Sequence, residues 1–344
     1  MDFTPTEEQE AARELAARIL GDLSTHERLA AAGTGTDDAL WKALCAAGLP
    51  AAVEEIGLLG LVLLLEEQGR VTAQVPLAAT GVYGILAVAR HGTEEQRARL
   101  LPGLRDGTAV ATGAFPANGS VAARDGRLTG TVAWVPWLRD AGHVLVPDAD
   151  RALWLVRAEE AAVEPVELTA PWSAGRLVLD GTPAERLGDG TGPEAYGDVL
   201  AAARTAFAGL QAGVCAGSLA RAVAHTSVRE QFGRPLATRQ AVQLRAAEAH
   251  MDTESIRVTA YEAAWRSDAG LDCERAALTA AWWASEAGKR VVHSGQHLHG
   301  GTGADLDHPV HRHFLWGRQL DAYLGHGTEL LAELGDLLAE GDPA

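Results

Sequence analysis

Cysteine is scarce in this chain, positive charge is outweighed, and no hydrophobic run is long. Cys45, Cys215 and Cys273 are its three cysteines, widely spaced and set in helical patterns. That spacing argues against a disulfide framework or a cysteine-based zinc site and fits reduced thiols in a cytosolic compartment. Acidic residues outnumber Lys and Arg by 46 to 29, a formal net charge of −17. The basic footprint that nucleic acid requires is missing, so no nucleic-acid partner is expected. The longest apolar run, Ile56 to Leu65, falls short of the about 20 residues that cross a bilayer. The start, Met1-Asp2-Phe3-Thr4-Pro5, carries no basic n-region and no signal core. The expectation is a cytoplasmic protein with no membrane partner. No internal repeat or low-complexity segment stands out.

What is present can build a large core: 344 residues, 47% of them hydrophobic. The first hundred residues read helical. Thr6 followed by Glu7 and Glu8 signals a helix start, as does the capping box Thr93-Glu94-Glu95-Gln96. Helices are predicted at 37–48, 56–70, 75–91 and 94–103. From Gly107 the texture changes to short valine-rich runs punctuated by glycine and proline, among them 127–134, 143–146, 152–156 and 176–179, which predict a small β-region. After Pro193 long helical patterns return, at 195–229, 238–266, 273–296 and 308–340. The first is rich in Ala, Gly and Ser, which favours close helix packing and marks 205–224 as a candidate dimer contact. The second sets Leu244, Ala247, Met251, Val258 and Trp265 on one stripe.

Two segments carry chemistry. One is Arg229-Glu230-Gln231-Phe232-Gly233-Arg234-Pro235, with Gln240 beyond it. The other is His297-Leu298-His299-Gly300-Gly301-Thr302-Gly303. A guanidinium forks onto a pyrophosphate, and a Phe lies against a flat adenine. Adjacent glycines let backbone N–H groups reach an anion with no Cβ in the way. Each segment alone also fits an Arg at a helix end, a core Phe and a turn glycine pair. Together, in this order on long helices, they resemble the paired cofactor-holding motifs of the acyl-CoA dehydrogenase family. The resemblance covers essentially the whole chain, and is weakest in 50–70, where this chain is shorter than the family usually is.

The resemblance implies an α+β fold: an N-terminal helical domain (1–106), a small central β-domain (107–190) and a C-terminal four-helix bundle (191–344). It implies FAD, held by Arg229, Phe232, Gln240, His297, Gly300 and Gly301. It implies α,β-dehydrogenation of an acyl-CoA thioester in fatty acid or steroid metabolism, with Arg204 as a candidate for substrate binding. An acidic chain offers CoA no general attraction, so a CoA site must rest on local arginines.

The family's catalytic base is usually a Glu, in a Tyr-Glu-Gly-Thr segment or as Glu-Arg on the helix leading to the first motif. The matching segments here are Tyr323-Leu324-Gly325-His326-Gly327-Thr328 and Ala203-Arg204. Neither Leu324 nor Ala203 is a carboxylate, so no catalytic residue is assigned. The family's Thr-Glu-Pro and Trp-Ile-Thr/Ser segments, whose hydroxyls contact the flavin ring, match Ala114-Phe115-Pro116 and Trp134-Val135-Pro136. Proline has neither a hydroxyl nor a backbone N–H to offer. Gln296 and His297 leave the family's first glutamine out of step by one residue. The parts resembling the adenine-diphosphate grip survive, while those resembling the ring and base sites are degraded.

This split resembles the smaller partner subunit of actinobacterial heteromeric, steroid-type acyl-CoA dehydrogenases. It implies a homodimer, or a heterotetramer with a larger subunit that brings the base. Two alternatives stay open: a stand-alone flavoenzyme acting on an unusual acyl thioester in biosynthesis, and a non-catalytic structural partner without FAD. Asp198, Asp321 and Glu329, near the base positions, are expected to be solvated helix-surface carboxylates. His297 with His299, and His311 with His313, would share a face in a strand but diverge in a helix, and nothing completes a zinc-like set, so no metal is expected.

Overall fold

The computed structural model describes residues 2–189 and 192–340. Four helices come first: α1 (Glu7–Leu23), α2 (His26–Ala31), α3 (Asp38–Ala46) and α4 (Leu49–Val71). The Thr6 hydroxyl accepts from the Gln9 N–H while the Gln9 side chain accepts from the Thr6 N–H, the reciprocal box that closes the start of α1. The short α2 has no counterpart in the sequence expectation. It is one and a half turns long, too short for a visible period, and is marked only by its cap Thr25. Within α4 the helix breaks at Gly57, whose φ of 71° favours glycine. Next come α5 (Leu77–Ala79), a π-helical stretch (Thr80–Leu86), α6 (Ala87–His91) and α7 (Glu94–Asp106). Gln96 at the start of α7 repeats the capping box with Thr93, and its Nε2 donates to the Arg186 carbonyl at 2.8 Å.

The β-region holds β1 (Ala111–Gly113), β2 (Val121–Arg124), β3 (Arg127–Val135), β4 (His143–Pro147), β5 (Leu153–Arg157), β6 (Ala162–Pro165), β7 (Gly175–Pro183) and β8 (Glu185–Arg186). They form two four-stranded sheets, ordered β1-β4-β5-β8 and β2-β3-β7-β6. The β1–β4 pair is parallel and the other pairs are antiparallel. Inward side chains of both sheets, including Leu128, Val135, Val144, Val156 and Leu177, share one apolar core. The alternation of β3 follows from this: one face is buried and the other is wet.

The last part contains α8 (Gly192–Val228), a small hairpin of β9 (Glu230–Gln231) and β10 (Arg234–Pro235), then α9 (Gln240–Asp268), α10 (Glu274–His299), α11 (Val310–Leu320) and α12 (Gly327–Glu340). The single helix expected over 308–340 is two, split at a turn where Gly325 takes φ 122°. α8 is long and apolar enough to cross a membrane, but 94% of its most apolar window is buried inside the protein.

The chain divides into two compact units. One joins Pro5–Leu61 to Ala73–Ala203, and the other joins Val62–Thr72 to the residues from Arg204 onward. In the second unit the small residues of α8 are consumed within the chain. A Cβ on Gly213 would sit 2.1 Å from the Glu66 carbonyl oxygen, and one on Gly217 would sit 2.2 Å from that of Arg70. Gly288 and Gly295 of α10 likewise admit the Gln211 and Ser218 side chains of α8. The stripe of α9 goes the other way. Leu244, Met251 and Val258 are exposed, and α9 buries Ala249, Ile256, Ala260 and Ala263 instead. Exposed apolar side chains in this unit thus include Leu244, Met251 and Val258 on α9, as well as Val223 and Val228 at the end of α8. The last N-terminal helix ends at Asp106 and the first strand opens at Ala111. The expected boundary at 190 falls outside the described residues.

Candidate functional site

The first motif follows α8 directly. Arg229 donates its N–H to the His225 carbonyl at 2.9 Å, and its own carbonyl accepts from the Leu236 N–H at 2.9 Å, which closes the hairpin base. At the tip, Phe232 and Gly233 take φ values of 55° and 78°. Positive φ is natural for glycine and uncommon for phenylalanine. The turn holds the Phe232 ring out in solvent, 92% exposed. The Arg239 guanidinium lies 5.2 Å from the ring centroid and also donates to the Gln231 carbonyl at 3.0 Å. Arg229 and Gln240 are exposed as well.

The second motif ends α10. Gly300 adopts φ 64°, ψ −139°, a conformation open essentially only to glycine. A Cβ on Gly300 or Gly301 would meet no atom within 4 Å, so the loop backbone is open to an approaching group. His297 is exposed and His299 is buried, the divergence expected of helical neighbours two apart. The His299 Nδ1–H donates to the Gly295 carbonyl at 2.7 Å. The two motifs meet in one chain, because the His299 ring stacks on His225 with centroids 4.7 Å apart. His225 lies one turn before Arg229, and no motif had flagged it.

The base positions look different. Ala203 and Leu324 are both buried. Arg204 is buried too, and both of its terminal nitrogens donate to the Glu333 carboxylate, at 2.9 and 2.6 Å. Tyr323 packs edge-on against Phe207 at 4.6 Å. What remains between Arg204, Phe207, Leu320, Tyr323, Leu324 and Leu330 is a cavity of about 20 Å³, room for roughly one water. Glu333 was invisible to sequence reasoning, since it lies on a different helix 129 positions from Arg204.

The nearby carboxylates are engaged elsewhere. Asp198 is exposed on α8, and its carboxyl is held below the usual range, chiefly by a hydrogen bond from His91. Glu329 is exposed and accepts the His326 N–H at 3.0 Å. Asp321 departs from expectation: it is buried, not solvated, and pairs with Arg318 at 2.8 Å. Burial, opposed by Arg318, pushes its carboxyl up.

In the other unit, Phe115 is sandwiched between Tyr83 and Tyr196, with centroid distances of 5.1 and 5.5 Å. The Ala117 N–H donates to the Tyr196 hydroxyl at 3.0 Å, and the Pro136 carbonyl accepts from the Thr112 hydroxyl at 2.5 Å. These segments spend their polar groups on their own unit. Among the described residues no group of three His, Cys, Asp or Glu is arranged to hold a metal ion.

Residues 6–108 match the acyl-CoA dehydrogenase N-terminal domain, and residues 190–331 match the C-terminal domain. Acyl-CoA dehydrogenase FadE27 of Mycobacterium tuberculosis is 35% identical, with 99% of each chain covered. This chain belongs to the acyl-CoA dehydrogenase family. Among solved acyl-CoA dehydrogenases, a variant of the Tcur3481-Tcur3483 steroid ACAD superposes with a TM-score of 0.91 at 43% identity, covering 97% of this chain and 98% of that one. The ChsE4-ChsE5 complex from Mycobacterium tuberculosis gives a TM-score of 0.93 at 32% identity with full coverage of both chains. The N-terminal helices, small β-region and C-terminal bundle described above are thus the acyl-CoA dehydrogenase fold.

Proposed function

We propose that this chain is a partner-type subunit of a heteromeric acyl-CoA dehydrogenase. It grips the adenine-diphosphate tail of FAD but supplies no base for the dehydrogenation of a steroid-type acyl-CoA thioester. One observation carries the reading: an open, solvent-facing grip and a closed, carboxylate-free acyl position occur in the same chain. Two solved relatives, the Tcur3481-Tcur3483 steroid ACAD and the ChsE4-ChsE5 complex, support both the pairing and the substrate class.

The residues of the grip fit an adenosine diphosphate. Phe232 offers a bare aromatic face to adenine, Arg229 an exposed guanidinium to a diphosphate, and Gly300 and Gly301 an unobstructed backbone. Gln240 and His297, both exposed, add polar groups at the same end of the helices. The chemistry FAD supplies when bound is acceptance of a hydride from the substrate's β carbon. This chain's residues hold and orient, and α-proton removal falls to a carboxylate on the larger subunit.

Arg204 has a structural role in this reading, since Glu333 takes both of its terminal nitrogens. The deciding experiment is co-expression with a larger homologous subunit that carries a Glu at the base position. The pair is expected to purify yellow and to bleach with a steroid-CoA thioester under anaerobic conditions, and the single chain is not. A colourless pair would instead favour a structural partner without FAD. Rapid bleaching by the single chain would favour a stand-alone flavoenzyme.

A further inference from the structure

His225 and His299 are not an isolated pair. The His308 ring lies 5.0 Å from His299, so three imidazoles cluster where α8, α10 and the loop after Gly300 meet. The titratable and charged groups facing the cluster come from every element around it. They are Arg221 on α8 and Arg229 just beyond it, Asp305 in the loop, and His311 on α11, whose Nδ1–H donates to the His308 carbonyl at 2.6 Å, with His313 on the far side of Arg221. Asp305 is the sole carboxylate of this set, and it is exposed. Arg221 is half-buried and has no carboxylate partner among the described residues. Buried cationic side chains are normally paired. A half-buried guanidinium beside three imidazoles is therefore a site short of an anion.

The hydrogen bonds fix how each ring can act. His299 gives its Nδ1–H to Gly295, which leaves Nε2 as its acceptor atom. The His308 Nδ1 accepts the Val310 N–H at 3.3 Å, so its neutral ring carries the proton on Nε2 and can donate it. Burial first, and then His299 and Arg229, hold the His225 imidazole below its usual range. His308 is held down by burial, then His299, Arg221 and His225, against the pull of Asp305. Both rings are therefore neutral near neutral pH while no anion is present.

We propose that His225, His299 and His308, with Arg221 and Arg229, form a seat for the diphosphate of an adenosine diphosphate group, and that filling the seat takes up one solvent proton at His225. This deepens the flavin reading above and rests on it. An anion beside an imidazole favours its charged form, so anion binding and protonation are linked. His225 is the apt ring because it stands one turn from Arg229 and has no hydrogen bond that charging would break. The sign follows: binding is tighter at low pH and weakens as pH rises.

FAD and CoA share the adenosine diphosphate group, so the test has two arms. FAD, and separately CoA, is titrated calorimetrically into the flavin-depleted complex of this chain with its larger subunit. The titrations use buffers of different ionisation enthalpy between about pH 6 and 8. The expected result is net uptake of about one proton with FAD, and an affinity that falls by up to about tenfold per pH unit as pH rises. His225→Gln is expected to abolish the uptake and flatten the pH dependence. Arg229→Ala should weaken binding throughout and keep the uptake. FAD binding with no buffer dependence overturns the proposal and leaves the flavin reading intact. Proton-linked binding of CoA but not FAD keeps the seat and removes the flavin assignment. Binding of neither removes both. The unmutated complex decides the matter even where a variant fails to assemble.

Discussion

The hairpin at Arg229–Pro235 and the pocket beneath Leu324 match two segments in which the acyl-CoA dehydrogenase family carries its chemistry, and here they differ in every respect. At the hairpin, large and charged side chains are held in water with little to hold on to: a 92% exposed Phe232, an exposed Arg229 and an open Gly-Gly backbone. Beneath Leu324 the pocket is closed, with both terminal nitrogens of an arginine paired to Glu333 and space for roughly one water. Exposed apolar and cationic groups that stabilise nothing within the chain point to something outside it. A filled, paired pocket has been given over to stability. On the proposed reading the contrast separates binding from chemistry within one subunit, and each prediction below tests one side of it.

The largest effect concerns the closed side. The single chain is expected to lack acyl-CoA dehydrogenase activity, and the loss of a positioned general base alone is worth roughly 10²–10⁴-fold. Leu324→Glu is not expected to restore turnover, because a cavity of about 20 Å³ admits no acyl chain and Arg204 is already engaged. Flavin bleaching of the single chain, the variant and the co-expressed pair checks this. Turnover by the Leu324→Glu single chain would show that the pocket opens and that only the base was missing.

How much of this was legible follows a physical line. Arg229, Phe232 and Gly300 were picked out because a family's cofactor motif uses residue types at fixed local spacing, and what the structure adds is that they are exposed or unobstructed. Leu324 was picked out for the same reason, as it sits inside a recognisable segment. Long helices announced themselves by period and caps, whereas α2, β6 and β8 were too short to show one. The Arg204–Glu333 pair and the His225–His299 stack were not readable. Each joins helices far apart in sequence, and no local pattern encodes that meeting. The stripe Leu244, Met251, Val258 was seen, but periodicity alone does not say whether a stripe faces the core or a neighbour.

The next effect separates a sealed histidine from an open one. His313 is fully buried, its Nε2–H donates to the Arg70 carbonyl at 3.0 Å, and burial pushes its imidazole down to about 4. The unfolded chain takes a proton at about 6.5, so below that pH the unfolded state binds more protons and the fold loses stability. The contribution is complete above about pH 6.5 and is lost progressively toward pH 4, by up to about 3 kcal/mol. Urea unfolding of the protein and of His313→Gln at both ends of this window should show a smaller acid loss in the variant. Equal slopes would mean that His313 is protonated without penalty.

A third test uses the asymmetry of the closed pocket. The Arg204 side chain is 6% exposed and that of Glu333 is 46% exposed. Glu333→Ala strands a buried guanidinium, which costs several kcal/mol when the lost partner is itself buried and about 2 kcal/mol here, since water already reaches Glu333. Arg204→Ala leaves a carboxylate that rehydrates, and should cost about 1 kcal/mol. Chemical denaturation ranks the two. A larger loss for Arg204→Ala would mean that packing of the arginine stem outweighs its charge.

The smallest effects on folding, and the most telling for the open side, belong to Phe232 and Arg229. Phe232 touches little besides Arg239 and sits at positive φ, so Phe232→Ala removes almost no buried area and should leave the melting temperature of the chain unchanged. Arg229→Ala should be similarly silent, because its backbone bonds to His225 and Leu236 survive the change. In the assembled complex both should weaken flavin retention. Arg229→Ala loses a charge-assisted fork of about 1.5 kcal/mol or more, about tenfold in Kd. Phe232→Ala loses an aromatic stack of about 1 kcal/mol. Flavin content after extensive dialysis, read from absorbance against protein, measures both. The informative result is the pairing of the two readouts. Loss of flavin with no loss of stability means that the hairpin is kept for a ligand, whereas loss of stability would place it among the parts that hold the fold together.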